Sequence, residues 1–406
     1  MIPTIDADTV AAAARLLEGV VSRTPVEESA ALSDLTGTRV ALKCENLQRT
    51  GSFKLRGAYL RLARLTPEER ERGVVAASAG NHGQGVALAA RELGISAVVY
   101  MPENAALPKV SATRGYGADV RLEGSDLAGT FAAAQREAQE SGRVFIPPFD
   151  HIDVVTGQAT IATEILEQVP DVRTIIVPTG GGGLLAGVAA AVPAAGADVK
   201  VIGVQAAGAA AFPESLSTGR PVPLTRMNTM ADGIAVPAPS ELTLGLAKRF
   251  AHEVRTVGEE DLARAILLLS ERAKLVVEPS GAAGVAAVMR EPEGLAGPVV
   301  VVLTGGNVDT LVLYRILRHG LVAAGRYLQM EVRVADRPGA LAGMLDVLAR
   351  TGSNVVSVSH DRTGADLGVA EVQIRVEVET EGHEHCREVL DALRAEDYGV
   401  LFHSVE

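Results

Sequence analysis

Lys54 lies in the run Ser52-Phe53-Lys54-Leu55-Arg56-Gly57, with Asn46 a short way upstream. Most lysines keep their tips in water, so an ordinary lysine at a helix start is one reading. The other is chemical. An amine buried among apolar groups loses its charge more easily and becomes nucleophilic, able to hold a carbonyl cofactor as a Schiff base. Four distant segments bear on that choice: Ser78-Ala79-Gly80-Asn81-His82-Gly83, Thr179-Gly180-Gly181-Gly182-Gly183-Leu184, Glu278-Pro279-Ser280-Gly281 and Leu303-Thr304-Gly305-Gly306-Asn307. Each falls where an apolar, strand-like run ends. The glycines from Gly180 to Gly183 let backbone N–H groups converge on one anion with no Cβ in the way. A helix beginning near Leu184 adds its positive end. No Gly-Lys-Ser/Thr ending follows the tract, so it is not a Walker loop. No acidic residue ends the next strand near Gln205, so it matches the dinucleotide fingerprint poorly.

The elements that must carry these residues are read from periodicity. Val74–Ala77, Ala97–Met101, Ala118–Leu122 and Arg143–Ile146 are strand candidates, separated by helical stretches at Gly83–Leu93, Pro108–Tyr116 and Leu127–Glu140. Strands alternating with helices imply parallel pairing with helices on both faces, and the handedness rule gathers their ends on one sheet edge. The scheme repeats with Thr174–Val177, Val201–Gln205, His252–Val257 and Val299–Leu303, whereas residues 206–250 read as irregular. Leu275-Val276-Val277 runs into Glu278, and Leu311–Arg318 reads as a helix that His319-Gly320 ends. From about Arg326 the pattern changes. Leu328, Met330, Val332 and Val334 alternate with polar residues, Leu341, Met344, Leu345 and Leu348 make one helix stripe, and residues 371–379 alternate strictly. The order is βαββαβ, a ferredoxin-like plait.

The motifs, in this order, resemble those of the pyridoxal-phosphate lyases of the tryptophan-synthase-β superfamily (fold type II), and within it the threonine/serine ammonia-lyases. Serine racemase is a near relative. The resemblance covers roughly residues 15–320. Asp336-Arg337-Pro338-Gly339-Ala340-Leu341 with Gly352-Ser353-Asn354-Val355 resembles an ACT domain, a small-molecule sensor. The fold class expected is α/β: a two-lobed catalytic domain over residues 1–320, its small lobe inserted near 55–155, and an ACT domain over 326–406.

By that resemblance Lys54 tethers the cofactor, Phe53 lies beside its ring, Asn81 bonds the ring's 3'-oxygen, and Gly180, Gly181, Gly182, Gly183 and Leu184 cradle its phosphate. Thr304 faces the pyridine nitrogen, where the family more often has serine. A hydroxyl there suits α,β-elimination more than transamination. Ser78, Ala79, Gly80, Asn81 and His82 form an anion nest for the substrate carboxylate. His82 reads either as a general base or as a supporting residue behind the site, and the second is preferred because the freed Lys54 is nearer the α-carbon in the resembled mechanism. Glu278 reads equally as part of the cofactor's surroundings or as a helix-start carboxylate. Gly233, beside Asp232, belongs to a loop closing over the substrate side. The activity implied is release of ammonia and a 2-oxo acid from threonine, and from serine.

Two departures narrow the choice. Racemases of the family carry a second serine where this chain has Ala79, and a methyl group cannot donate a proton. Both ends of the window from Gln205 to Ala211 are uncharged, where serine racemase uses Glu and Asp to bind a divalent cation, so no such metal site is expected. The net charge of -12 argues against a nucleic-acid partner. Cys44 and Cys386 form neither a metal spacing nor a disulfide framework. No signal-peptide pattern opens the chain, and apolar runs such as Pro298–Leu303 are too short for a bilayer, so a soluble cytoplasmic protein without a membrane partner is expected. The family also implies a homo-oligomer, dimer or tetramer, and isoleucine or valine as the effector at the tail.

Overall fold

The computed structural model describes residues 4–362 and 367–402. It divides into two compact units, residues up to Thr310 and from Leu311 onward.

The first unit contains two sheets. The larger is built from β1 (Val26–Glu28), β2 (Val40–Lys43), β7 (Thr174–Pro178), β8 (Lys200–Ala206), β9 (Glu253–Val257) and β10 (Val299–Val302), in the order β1-β2-β10-β7-β8-β9. All its pairs are parallel except β1 with β2. Its central strands are buried on both faces, and the four valines of β10 are wholly enclosed. That accounts for their unbroken apolar sequences: helices cover both sides. The smaller sheet has β3 (Val74–Ala77), β4 (Ala97–Met101), β5 (Asp119–Leu122) and β6 (Val144–Phe145), in the parallel order β5-β4-β3-β6. Its own apolar core draws on Leu55, Ala58 and Leu62 of the Lys54–Ala63 helix and Val86 and Ala89 of the Asn81–Leu93 helix.

Three local expectations change. Residues 206–250 are not wholly irregular: Phe212–Thr218 and Glu241–Phe250 are helices. Pro and Ser in this stretch act as starters rather than breakers, with Pro213 in a first turn and Ser240 accepting from the Thr243 N–H in a capping box. Leu275–Val277 forms no strand, since both edges of β10 are already taken by β2 and β7. The helix after Asp309 runs Thr310–Ala323, through His319 and a buried Gly320.

The second unit has β11 (Tyr327–Ala335), β12 (Asn354–Asp361), β13 (Glu371–Glu379) and β14 (Gly399–Phe402) in one antiparallel sheet of order β12-β13-β11-β14. Helices Ala340–Arg350 and His383–Ala395 cover one face, burying Met344, Leu348, Leu390 and Leu393 against Val332 and Val376. Among the described residues no helix is long and apolar enough to cross a membrane.

Candidate active site

Lys54 is the first residue of its helix, and three contacts fix the segment before it. Ser52 bridges to Gly305, the Phe53 N–H donates to the Thr304 carbonyl at 3.2 Å, and the Gly306 N–H donates to the Gly51 carbonyl at 2.9 Å. The lysine therefore emerges at the carboxyl end of β10, between the two sheets. Behind it, Arg56 of the same helix grips Glu45 through two hydrogen bonds, of 2.9 and 2.8 Å, and Glu164 through a third of 2.6 Å. The helix lies so close to Ile152–Gln168 that a Cβ on Gly157 would stand 2.6 Å from the Gly57 Cα. The start of the lysine helix is thus held from three sides.

The Lys54 side chain opens partly onto the cleft yet lies deep in the molecule. Its Nζ donates to the Pro148 carbonyl at 3.1 Å and stands 5.1 Å from the Phe53 ring centre. Burial draws its pKa down to about 8, only partly opposed by the Glu278 carboxylate. Glu278 is itself buried and pushed up to about 7, first by burial and then by Asp232. Its Oε1 accepts from Asn81 Nδ2 at 2.6 Å, and Asn81 Oδ1 accepts from Asn307 Nδ2 at 2.8 Å. Asn307 is anchored in turn on the Thr50 carbonyl at 2.7 Å. The Asn81 amide is thereby oriented, with one N–H spoken for and one left for another acceptor.

Two sets of backbone N–H groups face this cleft. Gly80 precedes the Asn81–Leu93 helix, and its N–H donates to Ser78 Oγ at 3.0 Å. Among the described residues no side chain caps that helix, so its first-turn donors stay available. The second set runs from Gly180 to Leu184, where no protein acceptor among the described residues meets the N–H groups. Glycine is required by the packing. Gly182 sits at φ +90, and a Cβ on Gly181 would lie 2.5 Å from the Phe149 ring. Gly233 sits against the same region: a Cβ there would be 2.9 Å from Ser280 Oγ and 3.7 Å from Glu278 Oε1.

His82 is buried, and burial together with the Lys54 charge pushes its pKa down to about 3. Its ring is therefore neutral, and Nε2, 2.9 Å from the Ile146 carbonyl, carries the proton and donates. Thr304 is buried at the end of β10.

The pattern of the pyridoxal-phosphate dependent enzymes matches residues 17–305, and that of the ACT domain matches residues 329–397. The chain belongs to the pyridoxal-phosphate dependent enzyme family. It is 46% identical to an L-threonine ammonia-lyase of Thermotoga maritima over 98% of this chain and 99% of that protein. It is 43% identical to an L-threonine ammonia-lyase of Geobacter sulfurreducens over 93% of this chain and 94% of that protein. The structure of maize serine racemase superposes with a TM-score of 0.72 at 32% identity, covering 77% of this chain and 97% of that one.

The cofactor is pyridoxal phosphate, and the residues fit it. A depressed lysine amine with a single hydrogen bond, an unmet run of N–H groups at a helix start and an oriented amide lie around one cleft. Within the same segments the buried hydroxyls of Ser52 and Ser280 have no partner among the described residues. Sequence reasoning missed two residues beside Lys54 and the glycine tract, and gave Asn307, though it lies in a motif singled out there, no bonding role. Pro148 supplies the acceptor for Lys54, Phe149 packs against Gly181 and Gly183, and Asn307 orients Asn81. The Pro147-Pro148-Phe149 run straight after β6 was the available signal, since a rigid turn at a parallel strand's end faces the ligand edge of the sheet. Asn46 turns instead to the Val276 carbonyl, at 3.1 Å.

Proposed function

We propose that this protein is an L-threonine ammonia-lyase that also takes L-serine, giving 2-oxobutanoate or pyruvate with ammonia. What supports this reading is the likeness over nearly the whole chain to an L-threonine ammonia-lyase, together with a Lys54 amine that donates to the Pro148 carbonyl at 3.1 Å and is drawn down to about 8 by burial. An amine near neutrality can lose its proton, attack a carbonyl and later take a proton from carbon at physiological pH. Bound pyridoxal phosphate supplies an electron sink that acidifies the α-proton of the amino acid. Lys54 would hold the cofactor through its amine, and the same amine, when free and neutral, is the base placed to take that proton. Gly180 to Leu184 hold the phosphate through their N–H groups, and Phe53 packs beside the ring. Asn81, fixed by Glu278 and Asn307, would offer its remaining N–H to the ring oxygen, and Thr304 would offer a hydroxyl to the ring nitrogen. Ser78, Ala79, Gly80, Asn81 and His82 seat the carboxylate, with neutral His82 serving as a brace rather than as a base. Gly233 keeps the opposite wall clear. In net terms the α-proton and the β-hydroxyl would leave together as one water, and a second water would hydrolyse the released enamine to the 2-oxo acid and ammonia.

The catalytic domain is assigned to the unit ending at Thr310, ten residues short of the 1–320 expected, with its small lobe near 55–155, and the regulatory domain to 326–406, with the Thr310–Ala323 helix leading into it. The tail takes an amino-acid effector, isoleucine or valine. The protein acts in the cytoplasm as a homo-oligomer, a dimer or tetramer. The test is oxo-acid release from threonine, serine and 3-hydroxyaspartate, with Lys54→Ala as control and borohydride trapping to identify the tethered residue. Threonine turnover with label on Lys54 is expected. Turnover of 3-hydroxyaspartate alone, or label on another lysine, overturns the reading.

A further inference from the structure

An ion pair joins the helix beside Gly80 to the turn beside Gly180, and none of the steps above uses it. Lys109, in the Leu107–Gly115 helix beside the smaller sheet, places Nζ 2.7 Å from Oδ2 of Asp232, in the short Asp232–Ile234 turn. The lysine stem lies over Gly80: a Cβ there would stand 3.1 Å from Lys109 Cδ and 3.5 Å from Nζ. One end of the pair thus covers the turn that opens the Asn81–Leu93 helix, where donors are free. The other end belongs to the opposite wall. A Cβ on Gly180 would be 3.0 Å from the Ile234 Cα, so the Asp232 turn leans on the glycine tract.

We propose that Lys109 and Asp232 form the clasp that shuts the two lobes over a bound β-hydroxy amino acid, with Lys109 a positioning residue; this rests on the cleft being the amino-acid site. The contacts at the floor are of another kind. Asn81 and Glu278 join the lobes inside the molecule, where breaking a hydrogen bond to a buried carboxyl is costly. The clasp has one arm in solvent, the Asp232 side chain being 56% exposed against 16% for Lys109. Such a pair contributes little to stability and is screened by salt, which suits a contact broken and remade in each turnover. Gly80 matters here because it leaves nothing between the lysine stem and the helix start. When the pair parts, the stem lifts and opens the seat.

The holoenzyme and three variants test this: Lys109→Ala, Asp232→Asn, and the exchange Lys109→Asp with Asp232→Lys. Each single variant is expected to raise KM roughly tenfold with kcat within about threefold, as for a group that closes the site without touching the reacting atoms. The KM of the parent should rise with ionic strength and that of the single variants should not. The exchange should recover most of the lost affinity, and the visible band of the cofactor should be unchanged throughout. KM within about twofold of the parent in both single variants, a salt-independent parent, or an exchange that recovers nothing overturns the clasp. Loss of the visible band in Lys109→Ala also overturns it, since Lys109 would then hold the cofactor itself. Parent turnover on threonine judges the proposed activity separately. The clasp is read from variant-to-parent ratios on whichever β-hydroxy amino acid the parent turns over.

Discussion

Lys43 and Lys54 are two lysines carried into the interior of the same unit, and their surroundings differ in one respect. Lys43 Nζ has three acceptors, the Thr24 carbonyl at 2.8 Å, Glu164 Oε2 at 2.6 Å and Gln168 Oε1 at 2.8 Å. Among the described residues Lys54 Nζ has one, the Pro148 carbonyl at 3.1 Å. Burial lowers both pKa values, but at Lys43 the adjacent Glu164 carboxylate opposes it directly, whereas at Lys54 only the more distant charge of Glu278 does. The cluster around Lys43 is also balanced: Lys43 and Arg56 face Glu45 and Glu164, with Thr24 and Thr160 completing the hydrogen bonds. A satisfied ammonium is part of the framework. An ammonium short of partners is destabilised as a cation and is available as an amine. Burial alone does not mark the reactive lysine; the deficit of acceptors does.

The sharpest way to break this comparison is to remove each lysine in turn. Lys54→Ala should abolish oxo-acid release, a loss of at least about a thousandfold in kcat, while thermal unfolding stays close to that of the parent apoprotein. Lys43→Ala should do the reverse. It leaves the half-buried Glu164 beside Arg56 with one cation gone, and breaking such a pair, whose lysine is wholly enclosed, costs about 3–5 kcal/mol. The melting temperature should fall on the order of 10 °C, while the protein that remains folded still carries label at Lys54. If Lys54→Ala melts as early as Lys43→Ala, the two lysines are both structural and the comparison fails.

The sequence made part of this difference visible. The strand-helix alternation from Val74 onward, the plait after Arg326 and the glycine tract were legible because each depends on local chemistry: period, turn residues and the absence of Cβ. The helices Phe212–Thr218 and Glu241–Phe250 were not, since their prolines and serines read as loop until the caps are seen. Nothing near Lys43 distinguishes it from Lys54 in sequence. Its partners Thr24, Glu164 and Gln168 lie between 19 and 125 positions away, and such long-range pairing leaves no periodic trace. Pro148 was obscure for the same reason, and Asn307 stood in a legible motif while its partner Asn81, 226 positions away, did not show.

The pH dependence sharpens the contrast more gently. In the apoprotein only neutral Lys54 captures pyridoxal phosphate. With its pKa near 8, the capture rate should rise about tenfold from pH 7 to a plateau above pH 8, whereas an ordinary lysine would keep gaining toward about 10.4. The linked stability has a definite sign. Native Lys54 holds fewer protons than the unfolded chain between about pH 8 and 10.4, so its burial cost is fully present below pH 8 and fades as pH rises through that window. Glu278 runs the other way, its cost absent below about pH 4.5 and complete above pH 7. Stopped-flow absorbance of cofactor uptake reads the first effect directly, and a rate still climbing at pH 10 would remove the distinction between the two lysines.

The smallest expected effect tests whether the framework cluster and the chemical site are separable at all, given that Arg56 and Lys54 share a helix. Thr24 Oγ1 donates to Glu45 Oε1 at 2.6 Å, and Glu45 keeps two bonds from Arg56 when that hydroxyl is removed. The carboxylate is therefore never left unpaired, and Thr24→Ala should cost only about 1 kcal/mol, a few degrees in melting temperature. The carbonyl of residue 24 still accepts from Lys43, so the lysine cluster survives. The midpoint for cofactor capture should stay near pH 8, because none of the groups setting the Lys54 pKa has moved. A midpoint that shifted with this distant methyl would mean that strain passes from Glu45 through Arg56 to the helix start, making the Lys43 cluster part of the catalytic apparatus rather than its support.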